Sequence, residues 1–431
     1  MTFVFLSALG LLCVVLGRWM FGQWFNHVSL YGAIWSSTLI LFELRFINYY
    51  PMELDTWLII FSGWLAFLIG SSIVVVARHA IKKQNPPPDQ LEAAGNEENR
   101  IKLLQRIIWF FNIITLLGVI HTLSVVGKYF GGVMNALTMG NLLYSYRSHE
   151  GFSGTIPYLC SLSLTASLLA GNYTAHKGKL TLVGVLPIII VVATDIANMA
   201  RIDILVGAVL FTSSYFLTPR RNIAVTFDFE SKMRKLAMVV AVVAIIVGGA
   251  EFIRDARKPV EGFAGSTTKL NTLSAAKFVT PSIYLYLSSH YAVLNQYFKH
   301  GGENTPFGGH TFTPVYRILE KVGFDIHMDV FQVPYKVPVS TNTGTYLREL
   351  HADFGMCGLL VGPFLLGFMA SVFWFRVKDY GRYIDLAFAV FFYIIIGLSF
   401  FQMATTLGAL MVYLIGSIVV SLYLDRKGLL A

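Results

Sequence analysis

Charge is scarce in this chain. Of its 431 residues only 13% are Asp, Glu, Lys or Arg, against about 25% in a soluble domain. That excludes an ordinary soluble globular protein. Cysteine is scarcer still. Cys13, Cys160 and Cys357 lie in or beside apolar runs and supply neither a disulfide framework nor a metal motif. The short signatures of soluble enzymes are missing as well: no phosphate-binding P-loop, no dinucleotide fingerprint, no metalloprotease helix motif and no nucleophile elbow. The long polar segment after residue 253 has no DxD-like pair, so it offers no obvious metal-dependent site for a sugar nucleotide. A substrate handled here should arrive already activated.

What the chain has in quantity is apolar sequence, 55% of all residues. Runs of bilayer length lie near 2–17, 29–46, 56–77, 107–126, 155–175, 180–199, 202–218, 236–253, 354–375, 384–402 and 404–424. They predict an all-α polytopic membrane protein of about 11 transmembrane helices. No small-residue cleavage site follows the first run, which reads as a span and not a removed signal. Three regions are expected. Spans 1–8 form a bundle over 1–253, with a linker at 79–105 that contains Pro86, Pro87 and Pro88. A large loop with short helices covers 254–353. Spans 9–11 cover 354–431.

The net charge of +9 is no footprint of nucleic-acid binding, because the basic residues sit in short loops between apolar runs. Arg78, Lys82, Lys177, Lys179, Arg220, Arg221, Arg376, Lys378 and Arg426 all follow odd-numbered spans. The positive-inside rule puts those loops in the cytoplasm and the 254–353 segment outside. The outer stretch 133–146 has helical spacing and reads as a helix in the membrane interface or a connector packed on the bundle.

Two places hold residues able to do chemistry. Arg201 precedes IDILVGAVLF, at the outer mouth of span 7. It is either an interfacial snorkeller or a phosphate clamp, since guanidinium offers a rigid fork of donors. Asp203, two residues on, faces elsewhere. The second place is TNTGTYLRELHADFGMCGLLVGP, which crowds Arg348, Glu349, His351 and Asp353 against an apolar run. Titratable groups at such a position are functional candidates. Helical geometry puts Tyr346, Glu349 and Asp353 on one face and Arg348 with His351 on the other. Thr341, Asn342 and Thr343 are placed to cap that helix or bind hydroxyls. Gly355 and Gly358 allow close packing where the span begins. Within the loop, 282–298 and 310–324 predict short helices. Their Tyr and His residues, among them Tyr284 and His290, suit a sugar-binding cleft; a structural lid would use the same residues.

The Arg in ARIDIL, the long outer loop late in the chain and the TNTGTYLRELHADFGMCGLLVGPFLLG run together resemble the oligosaccharide repeat unit polymerases, the O-antigen polymerases of the Wzy type. The resemblance covers the general layout of the chain and is sharp around 198–207 and 338–366. It implies a GT-C-like glycosyltransferase of the bacterial inner membrane, without metal or other cofactor. Such an enzyme moves a growing glycan from undecaprenyl pyrophosphate to a new lipid-linked repeat unit on the periplasmic face. Its partners would be the undecaprenyl-pyrophosphate-linked oligosaccharide, membrane lipid and a chain-length regulator protein. Arg201 and Arg348 would hold pyrophosphate. Glu349, His351 and Asp353 are the candidate bases; Tyr346, Asn342, Tyr284 and His290 would contact substrate. Gly358 lies ten residues after Arg348, which departs from the Arg-to-Gly spacing of some members. An O-antigen ligase, a transporter or flippase of lipid-linked oligosaccharide, and a structural partner in an assembly complex are the competing readings.

Overall fold

A computed structural model describes residues 2–82, 97–149, 152–156, 158–219, 281–303, 305–326, 332–337 and 340–426, together with 233, 240, 244, 248–249, 251–253 and 255–256. The helices are α1 (Thr2–Phe21), α2 (His27–Glu43), α3 (Leu54–Lys82), α4 (Glu97–Phe130), α5 (Val133–Thr138), α6 (Gly140–His149), α7 (Leu162–Lys177), α8 (Leu182–Asn198), α9 (Ile202–Leu217), α10 (Pro281–Lys299), α11 (Thr313–Val322), α12 (Tyr346–Tyr380), α13 (Tyr383–Leu398) and α14 (Gly408–Arg426). A 3-10 turn, Ala404–Thr406, precedes α14. Two short antiparallel strands, β1 (Tyr335–Lys336) and β2 (Ser340–Thr341), pair Tyr335 with Thr341 and Lys336 with Ser340.

Each expected apolar run that lies within the described residues carries a helix, because a backbone in lipid must satisfy its own hydrogen bonds. The 236–253 run lies mostly outside the described residues, as do Pro86–Pro88 and the 257–280 part of the outer loop. Among the described residues four helices, Thr2–Phe21, Leu54–Ala80, Glu98–Phe130 and Tyr346–Tyr380, are long and apolar enough to cross a membrane. Leu182–Asn198, Ile202–Leu217, Tyr383–Leu398 and Gly408–Leu424 are shorter apolar helices. Exposed Leu65, Ile69, Ile73 and Val76 on α3 and Phe110, Ile113 and Leu117 on α4 form apolar faces that suit lipid better than water.

The chain forms two compact units. One contains Met1–Pro86, Val260–Val372 and Phe392–Gly408. In it α10 packs on α2 and the segment after it through buried polar contacts: the Tyr291 and Thr38 hydroxyls are 2.6 Å apart, those of Ser288 and Tyr49 2.8 Å. Asn295 Oδ1 accepts from the Glu53 amide and the Thr56 hydroxyl, both at 2.9 Å. The other unit contains Pro87–Pro259, Phe373–Phe391 and Ala409–Ala431. Its helices α4, α7, α8 and α9 share an apolar core that includes Ile108, Leu169, Ile188 and Phe211. There Asn172 donates to Thr218 at 2.9 Å and accepts from Tyr383 at 2.5 Å, while Arg376 and Arg382 both grip buried Asp385.

The feature that positions the chemistry is a break in α12. Gly355 has φ +63° and ψ −152°, a backbone conformation essentially restricted to glycine. The chain bends so sharply there that a Cβ on Gly358 would stand 2.2 Å from the Leu350 carbonyl oxygen. In a straight helix residues eight apart are about 12 Å apart along the axis. Residues 346–354 are therefore a short helix of their own, folded against the start of the long apolar helix.

Candidate functional site

The short helix begins where the Tyr346 amide donates to the Ser399 carbonyl at 3.0 Å. Thr341, Asn342 and Thr343 do not cap it, because it starts three residues beyond them. Thr341 belongs to β2, and its hydroxyl stands 3.4 Å from that of Thr343. Asn342 contributes its main-chain carbonyl, which accepts from Arg348 Nη1 at 2.9 Å.

The two predicted faces hold. On one, Arg348 and His351 both meet Tyr297 of α10. The Arg348 guanidinium lies 5.7 Å from the Tyr297 ring centroid and 5.1 Å from that of Tyr335. Its Nη2 pairs with Glu303 Oε1 at 2.5 Å and donates to the Val333 carbonyl at 2.7 Å. Arg348 is 1% exposed. Its Nε finds no hydrogen-bond partner among the described residues. A buried guanidinium stays charged, and Glu303 with the two aromatic faces compensates that charge. Glu303 also accepts from the Tyr335 hydroxyl at 3.0 Å. Burial, reinforced by the Glu303 carboxylate, pushes the Tyr335 phenol up to about 12. Burial likewise raises Tyr297 to about 12.

His351 is half-buried. Its Nδ1 is 2.8 Å from the Tyr297 hydroxyl, and its ring packs edge-on against Phe298. Nε2 has no hydrogen-bond partner among the described residues. With Tyr297 donating to Nδ1, Nε2 would carry the proton; with Nδ1 protonated, Nε2 has a free lone pair.

On the opposite face the carboxylates are occupied. Glu349 is buried and accepts from the Met403 amide and the Gln332 side chain. Asp353 is buried and organises the 305–312 loop: it accepts from the His310 amide at 2.9 Å and from the Thr311 amide and hydroxyl, each at 2.7 Å. Burial lowers the His310 imidazole, while the Asp353 and Glu303 carboxylates work against the shift. Tyr346 is buried with its hydroxyl 3.0 Å from that of Tyr31.

Tyr284 and His290 do not form a cleft. Tyr284 donates to the Leu41 carbonyl and accepts from the Phe46 amide. His290 is fully buried between the Tyr286 and Thr343 carbonyls, beside Phe400 and Phe401. Both are core residues, since burial leaves no surface for a sugar. Arg201 belongs to the other unit. It is half-buried and occupies the N-cap position of α9 without capping it. The cap comes from Asp195, whose Oδ2 accepts from the Ile204 amide at 2.8 Å.

Glu303, Tyr297 and Tyr335 belong to the site without a sequence signal that singles them out. Gly301 and Gly302, at φ +83° and +86°, mark the turn that delivers Glu303, but nothing local names its partner. Among the described residues no three His, Cys, Asp or Glu side chains form a metal-ligand set. Comparison with protein-family models, with curated proteins and with solved structures gives no match.

Proposed function

We propose that this chain is a polytopic glycosyltransferase of the bacterial inner membrane that polymerises lipid-linked oligosaccharide repeat units on the periplasmic face. The observation that carries the reading is the Arg348–Tyr297–His351 arrangement. It joins a buried cation to a half-exposed base with an open nitrogen, at the end of a long apolar helix. The sequence resemblance supplies the substrate class.

In this reading the acceptor sugar hydroxyl attacks the anomeric carbon of the donor glycan. The new glycosidic C–O bond forms as the bond to undecaprenyl pyrophosphate breaks, and the bonding pair leaves with the diphosphate. His351 takes the hydroxyl proton at Nε2, with Tyr297 fixing the ring through Nδ1. Burial lowers the His351 imidazole from its ordinary value, which leaves it neutral and able to take a proton at neutral pH. Asp353 positions the 305–312 loop, with both oxygens taken by the His310 and Thr311 donors; Glu349 is buried and ties the helix to Met403 and Gln332, one donor on each oxygen. Arg348 stabilises the leaving diphosphate. For Arg348 this requires the diphosphate to exchange for the Glu303 carboxylate, one anion replacing another on the same guanidinium.

The test is a clean deletion followed by gel separation of surface glycan. A polymerase deletion leaves a single repeat unit on the lipid core. A ligase deletion leaves none, and a flippase deletion gives no periplasmic repeat; either outcome removes the proposal.

A further inference from the structure

The 305–326 segment carries a short amphipathic helix, α11. At about 100° per residue, Val315, Ile318, Leu319 and Val322 of α11 share one side, while Tyr316, Arg317, Glu320 and Lys321 share the other. In a soluble domain the apolar side would face the core. Here it faces away from the protein: Val315 is 48%, Ile318 62% and Val322 71% exposed. The attachments are at the start of the helix and on its polar side. Thr313 and Pro314 are buried where α11 packs on the Ala404–Thr406 turn, and the Tyr316 hydroxyl donates to the Phe307 carbonyl at 2.6 Å. Glu320 and Lys321 on the polar side are exposed as well, so the helix is held at its start and through Tyr316 while its apolar side points outward.

What covers that face is indicated by what it adjoins. Phe307, itself exposed, packs its ring against Phe354 with centroids 5.0 Å apart. Phe354 directly precedes the Gly355 break. Beyond the break, exposed Met356, Leu360 and Val361 line the apolar helix. The apolar surface of the loop therefore runs on into the lipid-facing surface of the span. We infer that α11 is an in-plane membrane helix: Val315, Ile318 and Val322 enter the outer-leaflet interface with Phe307, while Arg317 and Lys321 stay at headgroup level. Such helices bury their apolar face roughly 5–10 Å into the headgroup and acyl boundary, and long basic side chains reach back to the polar layer. Asp353 pins the loop that leads into α11, so the interfacial helix and the Arg348–His351 helix share one anchor. The inference rests on membrane embedding and not on the glycan chemistry.

Site-directed spin labelling of the full chain in lipid nanodiscs tests it. Cys13, Cys160 and Cys357 are replaced by Ala, and a single label is placed by Ile318→Cys or by Glu320→Cys. Val322→Cys replaces Ile318→Cys if the latter does not purify as a single species. Collision with oxygen and with a water-soluble nickel chelate is measured for each. The label at 318 or 322 should collide more with oxygen and several-fold less with nickel than the label at 320. Equal nickel access at the two faces would mean water covers α11 and would overturn the inference. Protection of the apolar face from both reagents would mean protein covers it, a second copy or a partner, and would overturn it equally.

Discussion

Arg348 and Glu303, 45 residues apart in the chain, meet at 2.5 Å with the arginine almost fully withdrawn from solvent. Removing one member of such a pair leaves the other buried and uncompensated, at about 3–5 kcal/mol. Arg348→Met and Glu303→Gln should each lower unfolding stability in detergent by an amount of that order. The double variant should lose clearly less than the sum. Additive losses in the double-mutant cycle would mean that the two side chains do not interact.

His351→Gln should reduce glycan transfer by about 10²–10⁴-fold, the usual contribution of a general base, with unchanged thermal stability. Tyr297→Phe keeps the ring against Arg348 and removes the hydroxyl that orients His351, so its loss should be smaller. An assay with purified protein and lipid-linked repeat units measures both. Wild-type rates from His351→Gln would exclude it as the base.

Gly358→Ala should destabilise the protein by about 1–3 kcal/mol, the usual cost of overpacking, because the added methyl would meet the Leu350 carbonyl at 2.2 Å. The nearby substitution Cys357→Ala, on an exposed side chain, should be close to neutral. Melting temperatures of the two variants against the parent check this.

How much of this was legible beforehand follows from how local each cause is. Helices over the apolar runs could be read because span length and the absence of charge are properties of the sequence itself. The faces of the 346–354 helix could be read for the same reason, since helical period alone separates Arg348 and His351 from Glu349 and Asp353. The break at Gly355 could not. Glycine there marks close packing as readily as φ +63°, and the bend depends on what the two halves pack against. Sequence does not place Tyr284 and His290, because aromatic and imidazole groups at helical spacing suit a buried helix as well as a cleft; α2 and the Phe400–Phe401 pair decide between them. Glu303 was invisible as a partner because an ion pair across 45 residues has no local signature.

Acid should loosen the 305–312 loop, and His310 sets the direction. Its folded pKa lies below the ordinary value, so the unfolded segment binds the proton more readily. The stability contributed by neutral His310 is complete above the unfolded pKa of about 6.5. It is lost as pH falls from there through the lowered folded value. Hydrogen exchange at the Thr311 amide, corrected for intrinsic rates, should accelerate over that window. The change should be reduced in His310→Gln; an identical profile in that variant would assign it to another group.

The central claim is that Arg348 holds the diphosphate of a lipid-linked glycan during its transfer. The most direct measurement is the length distribution of surface glycan in cells carrying Arg348→Ala as the sole copy, shown to reach the membrane at parental levels. The variant is predicted to leave a single repeat unit on the lipid core. Long chains of parental length from it would contradict the account.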